Sequence, residues 1–129
     1  METQTQTVAK KRILVVDDTT AVAKTIDRLL SHLGHEVEIS SDGPRALNKF
    51  ESEKYNLVIV DYSMPKMNGL ELAKAIKSRS SEQLILLLSA FTASVFAIDG
   101  EPMPVDFVMQ KPFSVQEFQT VLGGLFPAG

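Results

Sequence analysis

Two adjacent acids, Asp17 and Asp18, follow the apolar run RILVV; a third, Asp61, follows NLVIV; Ser89 closes LILLLS, and Lys111 precedes Pro112 in KPF. Each alone has a local reading as a turn residue, helix cap or solvated side chain. Gathered in one place they would do chemistry. Three carboxylates within about 4 Å of one another repel by several kcal/mol at an effective dielectric near 20, so they need a cation between them. Oxygen-only ligation points to magnesium or a similar hard divalent ion, and the absence of cysteine argues against zinc. Lys111 would add a mobile positive charge able to reach an anion, and Ser89 a hydroxyl able to donate to a phosphoryl oxygen.

The elements that must position these residues are legible as alternating strands and helices. RILVV (12–16) reads as a buried strand, and Val22, Ile26, Leu29, Leu30 and Leu33 keep helical spacing from Thr20 until Gly34. EVEIS (36–40) alternates as an edge or half-covered strand, and Pro44 is placed to begin a helix with Ala46, Leu47 and Phe50 on one face. NLVIV (56–60) is a third strand; the helix after MPKMNG runs to about Arg79 with Leu70, Ala73 and Ile76 inward. LILLLS (84–89) and VDFVM (105–109) are the fourth and fifth strands. The final helix opens on Ser114 and Glu117 at capping-box spacing, buries Phe118, Val121, Leu122 and Leu125, and stops at Pro127. Continuous apolar strands between amphipathic helices imply a parallel α/β sheet covered on both faces. Ligands of such sheets gather beyond the carboxyl ends of the strands, where all the residues named above should emerge.

Composition narrows the function classes. At 129 residues the chain makes one domain. A net charge of −3 argues against general nucleic-acid binding. The lack of cysteine fits the cytoplasm, and LILLL, the longest aliphatic run, is far short of the roughly 20 residues that span a bilayer. His32 and His35 straddle the end of the first helix and read as surface residues, and AKKR as a solvated run.

With VVDD (15–18), VDYSMPKMNG (60–69), LSA (88–90) and KPF (111–113) each at a strand end, the chain resembles a receiver domain of the two-component response-regulator family, over nearly everything from Arg12 to Phe126. The resemblance implies a doubly wound five-stranded parallel sheet in the order 2-1-3-4-5, spanning 11–126 between a flexible tail (1–10) and a short C-terminal end (127–129). It implies that Asp61 is the phosphoacceptor, receiving phosphate from a phosphohistidine on a sensor histidine kinase or phosphotransfer protein. It implies Mg2+ held by Asp18 and Asp61, by Asp17 through water and by the Ser63 backbone carbonyl, with Ser89 and Lys111 binding the phosphoryl oxygens. The output is expected in an unknown partner, or in another part of a longer protein.

Departures from the family pattern concentrate between the fourth and fifth strands. Gly100, Pro102 and Pro104 make helix beyond about Ile98 improbable, so the fourth helix is expected to be short or broken. The family tends to place an aromatic switch residue three positions before the lysine, where this chain has Val108; Phe107, one earlier, should face the other way unless a bulge intervenes. Phe91, Val95, Phe96 and Met103 offer either a partner surface or packing for the sheet, and Phe91 is expected to shield the phosphoryl group from water. Two rivals remain: a receiver-like scaffold that takes no phosphate, and a magnesium-dependent phosphohydrolase. The second lacks an acid two residues after Asp61, where Ser63 stands.

Overall fold

In the computed structural model, which describes residues 10–90 and 103–126, β1 (Arg12–Val16) places Ile13, Leu14, Val15 and Val16 at no more than 1% exposure. A strand without a polar side must lie where both faces of a sheet are covered. β3 (Leu57–Asp61) and β4 (Ile85–Ser89) are buried throughout, whereas β2 (Glu36–Ser40) and β5 (Phe107–Gln110) are more exposed and form the edges. All pairings are parallel, in the order β2-β1-β3-β4-β5. The order reverses between β1 and β3, which opens a crevice at their carboxyl ends.

Alternation along each strand sends neighbouring side chains to opposite layers. On one face Val15, Ile59 and Leu88 meet Ala23, Ile26 and Leu30 of α1 (Thr20–His32) and Phe118 and Leu122 of α4 (Val115–Leu125). On the other, Val16, Val60 and Leu87 meet Ala46 of α2 (Gly43–Ser52) and Leu72, Ala73 and Ile76 of α3 (Gly69–Arg79). Burying such a leucine or isoleucine contributes about 2 kcal/mol, and truncating Phe118 to alanine would cost about 3 kcal/mol or more because a cavity remains. Asn68 with Glu71, and Ser114 with Glu117, close capping boxes on α3 and α4.

Several boundaries move for identifiable reasons. β3 includes Asp61 and starts at Leu57, because the Asn56 side chain accepts the Arg12 N–H at 2.8 Å. β5 begins at Phe107 rather than at 105: the Asp106 N–H still donates to the Ile85 carbonyl (3.0 Å), but the Asp106 carboxylate, paired with Lys77 (2.9 Å), takes the Ile85 N–H (2.8 Å) in place of a backbone carbonyl. α2 starts at Gly43, its end capped by Asp42 through the Arg45 N–H at 2.8 Å. Leu72 joins Ala73 and Ile76 inside, while Leu70 is only half-buried.

His35 corrects the surface assignment made above, being only 7% exposed. Gly34, at φ +96°, turns the chain back from α1. His35 then accepts the Lys11 N–H on Nδ1 at 3.1 Å and lies against the Phe126 ring, centroids 6.0 Å apart. His32 is exposed, as expected.

The expected fourth helix, with Phe91, Val95 and Phe96, lies outside the described residues, as do residues 127–129 and all of the expected tail but Lys10. Residues 103–106 are not helical. Met103 packs toward the α2 and α3 layer with Val105 and Val108. Phe107 is 45% exposed, and the unbroken register from Leu86↔Phe107 to Ser89↔Gln110 contains no bulge that would bring it to the side of Val108.

Candidate functional site

The carboxyl ends of β1, β3 and β5 converge on one pocket. Asp17, one residue past β1, donates its N–H to the Ser40 carbonyl at 3.1 Å, and its Oδ1 accepts the Thr19 N–H at 2.8 Å just before α1 begins. Asp17 thus closes a local turn ahead of α1, whose N-cap is Thr19, and does not cap the helix as it would if read alone; the turn occupies one oxygen only. Asp61 ends β3 and is carried forward by the Tyr62 N–H, which donates to the Leu88 carbonyl at 2.8 Å. Lys111 leaves β5 with its N–H on the Ser89 carbonyl at 2.7 Å and donates through Nζ to Asp61 Oδ1 at 2.6 Å.

One carboxylate oxygen from each of Asp17, Asp18 and Asp61 lies within 4.8 Å of the others. Asp17 and Asp61 are buried and Asp18 is exposed, so the cluster is reached from one side. Asp17 Oδ2 is buried without a hydrogen-bond partner, and Lys111 Nζ stands 3.9 Å from it. Burial pushes the Asp17 carboxyl up from its ordinary range; Asp61 and Asp18 reinforce the rise, while the Thr19 N–H and Lys111 oppose it. One ammonium against three carboxylates leaves the pocket short of positive charge. An orphaned buried oxygen, an all-oxygen donor set and access from Asp18 fit a hard cation.

Ser89 is 1% exposed at the end of β4, one residue past Leu88, the partner of Asp61 in the sheet, and Ser63 is exposed in the loop that leaves Asp61. Two contributors escape motif reading. The Thr19 N–H is one, although Asp-x-Thr before a helix is a recognisable turn signal. The role of Gly69, the last residue of VDYSMPKMNG, is the other: a Cβ there would stand 2.6 Å from the Asp61 carbonyl oxygen and 2.8 Å from Tyr62 Cα, so α3 starts in direct contact with the strand end that carries the site.

Beside Lys111 opens an apolar groove of about 600 Å³, lined by Val22, Thr25 and Leu29 of α1 and by Pro112, Phe113 and Val115. Among the described residues no helix is long and apolar enough to cross a membrane.

The chain and its fold are similar to known proteins. The family model for the response regulator receiver domain matches residues 13–122. The response regulator MprA of Mycolicibacterium vanbaalenii is 36% identical over 106 residues, covering 82% of this chain and 46% of its own. The chain thus spans about half the length of the curated relatives it matches. Among solved structures, response regulator protein TrrA of Thermotoga maritima, in complex with Mg2+-BeF, is 35% identical with a TM-score of 0.80, covering 89% of this chain and 98% of that one. Chemotaxis protein CheY4 of Vibrio cholerae is 28% identical with a TM-score of 0.83, covering 91% and 99%. With the strand order, the acidic pocket and the family match over most of its length in agreement, the chain belongs to the response regulator receiver domain family of two-component signalling.

Proposed function

We propose that residues 11–126 form a receiver that takes a phosphoryl group onto Asp61 from the phosphohistidine of a sensor kinase or phosphotransfer protein, in a Mg2+-dependent reaction, and thereby changes what it binds. The observation that carries this reading is the pairing of Lys111 with Asp61 at 2.6 Å inside an acidic pocket where a buried Asp17 oxygen lacks a hydrogen-bond partner. The structural relative solved with Mg2+-BeF, at 35% identity, supports the same reading.

Asp17, Asp18 and Asp61, with the Ser63 backbone carbonyl, would hold Mg2+, which when bound neutralises charge on the transferring phosphoryl group. The protein's own part is mostly placement. Asp61 attacks through a carboxylate oxygen; the new O–P bond forms as the P–N bond of the phosphohistidine breaks, and the bonding pair leaves on the imidazole nitrogen. Lys111, already against Asp61, needs only a small movement of its flexible stem to follow the charge onto a phosphoryl oxygen. Ser89 at the β4 terminus supplies a hydroxyl to another oxygen, and drawing it in would bias the segment that follows β4. The groove between α1 and Phe113, continuous with Lys111, receives the phosphohistidine-bearing protein.

Ser63 stands two residues after Asp61, where a phosphohydrolase would need an acid to protonate its leaving group. The role is signalling rather than turnover of phosphate esters. The deciding experiment is phosphoryl transfer from purified kinases or acetyl phosphate to wild type and Asp61→Asn. Labelling of wild type alone is expected; labelling that persists in the variant would overturn the assignment.

A further inference from the structure

The loop from Tyr62 to Asn68 carries Ser63, and its bend takes a form that backbone sterics disfavour. The Met67 N–H donates to the Pro65 carbonyl at 2.7 Å across Lys66, which has φ +72°. A three-residue turn with a non-glycine residue at positive φ is rare and strained, and it persists only where its surroundings over-determine it. The base of the loop is closed by the Gly69 N–H on the Tyr62 carbonyl at 2.8 Å. Its tip rests on α2: a Cβ on Gly43 would lie 2.8 Å from Met67 Sδ and 2.9 Å from Met67 Cβ. The second distance matters most, since a Cβ moves only with its backbone. Asp42 Oδ2 also pairs with Lys66 Nζ at 3.5 Å, but the lysine is two-thirds exposed and the pair adds little.

We propose that the seating of Met67 on the bare backbone of Gly43 is a positioning contact for the metal pocket, holding the strained bend, and through it Ser63, in place next to Asp61. The inference rests on the proposed function, in that Ser63 is there a metal ligand. It makes the start of α2, remote in sequence from every acid of the site, a determinant of cation affinity. Groups that hold ligands in place commonly change affinity about tenfold or more when altered.

The test measures Mg2+ binding to the full chain by isothermal titration calorimetry, with thermal unfolding in the absence of metal, for wild type, Gly43→Ala, Met67→Ala and Met67→Leu. Gly43→Ala, which pushes the loop away, and Met67→Ala, which empties the seat without a clash, are each expected to raise the dissociation constant about tenfold. Met67→Leu, which refills the seat, should stay near wild type. If Gly43→Ala does not fold, Met67→Ala decides. A lowered melting temperature with unchanged Mg2+ affinity would make the contact merely structural and overturn the inference. Wild type that binds Mg2+ yet takes no phosphoryl group from acetyl phosphate would overturn the functional reading alone; wild type that binds no Mg2+ would overturn both.

Discussion

Asp17 bears the main electrostatic cost of the pocket. Its Oδ2 is buried without a hydrogen-bond partner, 3.9 Å from the Lys111 ammonium, and burial raises its pKa. A carboxyl whose folded pKa lies above its unfolded value contributes stability at pH below the unfolded value and loses it as pH rises through the folded one. Near pH 7 without metal, charged Asp17 therefore weakens the fold. Asp17→Asn keeps an oxygen for the Thr19 N–H and removes the charge. It is expected to stabilise the metal-free protein by about 1 kcal/mol at pH 7, an advantage that fades toward pH 4, while weakening Mg2+ binding about tenfold or more. Urea unfolding at several pH values and calorimetric Mg2+ titration check the two halves; a variant less stable than wild type at pH 7 would contradict the argument. His35 has the opposite sign, its pKa lowered by burial and then by the charge of Lys11. Its contribution is present above the ordinary histidine range and lost as pH falls below about 6.5 toward the depressed value.

The elements that hold the acids differ from those that line the proposed docking groove. β1 and β3 are buried on both faces, so Asp17 and Asp61 inherit the rigidity of the sheet's centre, whereas α1 presents Val22, Thr25 and Leu29 to the groove next to Lys111. Thr25 is exposed and uses its hydroxyl only within its own helix, on the Ala21 carbonyl at 2.9 Å. Thr25→Arg should leave the fold intact and obstruct a docking protein. Phosphoryl transfer from a cognate protein donor is expected to fall about fivefold or more, equivalent to about 1 kcal/mol, while transfer from acetyl phosphate is unchanged. Parallel time courses with the two donors make the comparison; equal loss with both would move the defect from docking to the pocket.

For the molecule as a whole, a cation held by the pocket would be linked to folding, since only the folded sheet brings Asp61 to Asp17 and Asp18. Mg2+ at about 100 times its dissociation constant should stabilise the protein by about 2.7 kcal/mol, raising the melting temperature by roughly 5 °C or more for a domain of this size. Thermal unfolding across a Mg2+ series checks this. Asp61→Asn should flatten the response, and an unshifted wild type would mean that the pocket holds no cation when folded.

Much of the site was already present in the order of residues. A run such as NLVIV states that it is buried on both faces, and an acid at its end must then emerge at the sheet's edge; the same logic applies to Val16 before Asp17 and to Leu88 before Ser89. Periodicity records whether a face is covered, because burial selects residues locally. It does not record what covers it. That β1 lies between β2 and β3, that Asp106 replaces the start of β5, that His35 is sealed by Lys11 and Phe126, and that Met67 rests on Gly43 all depend on chain segments meeting from afar. The residue types pointed to the chemistry; only the closed fold decided which buried oxygen is left without a hydrogen-bond partner and which glycine stands behind the loop that leaves Asp61.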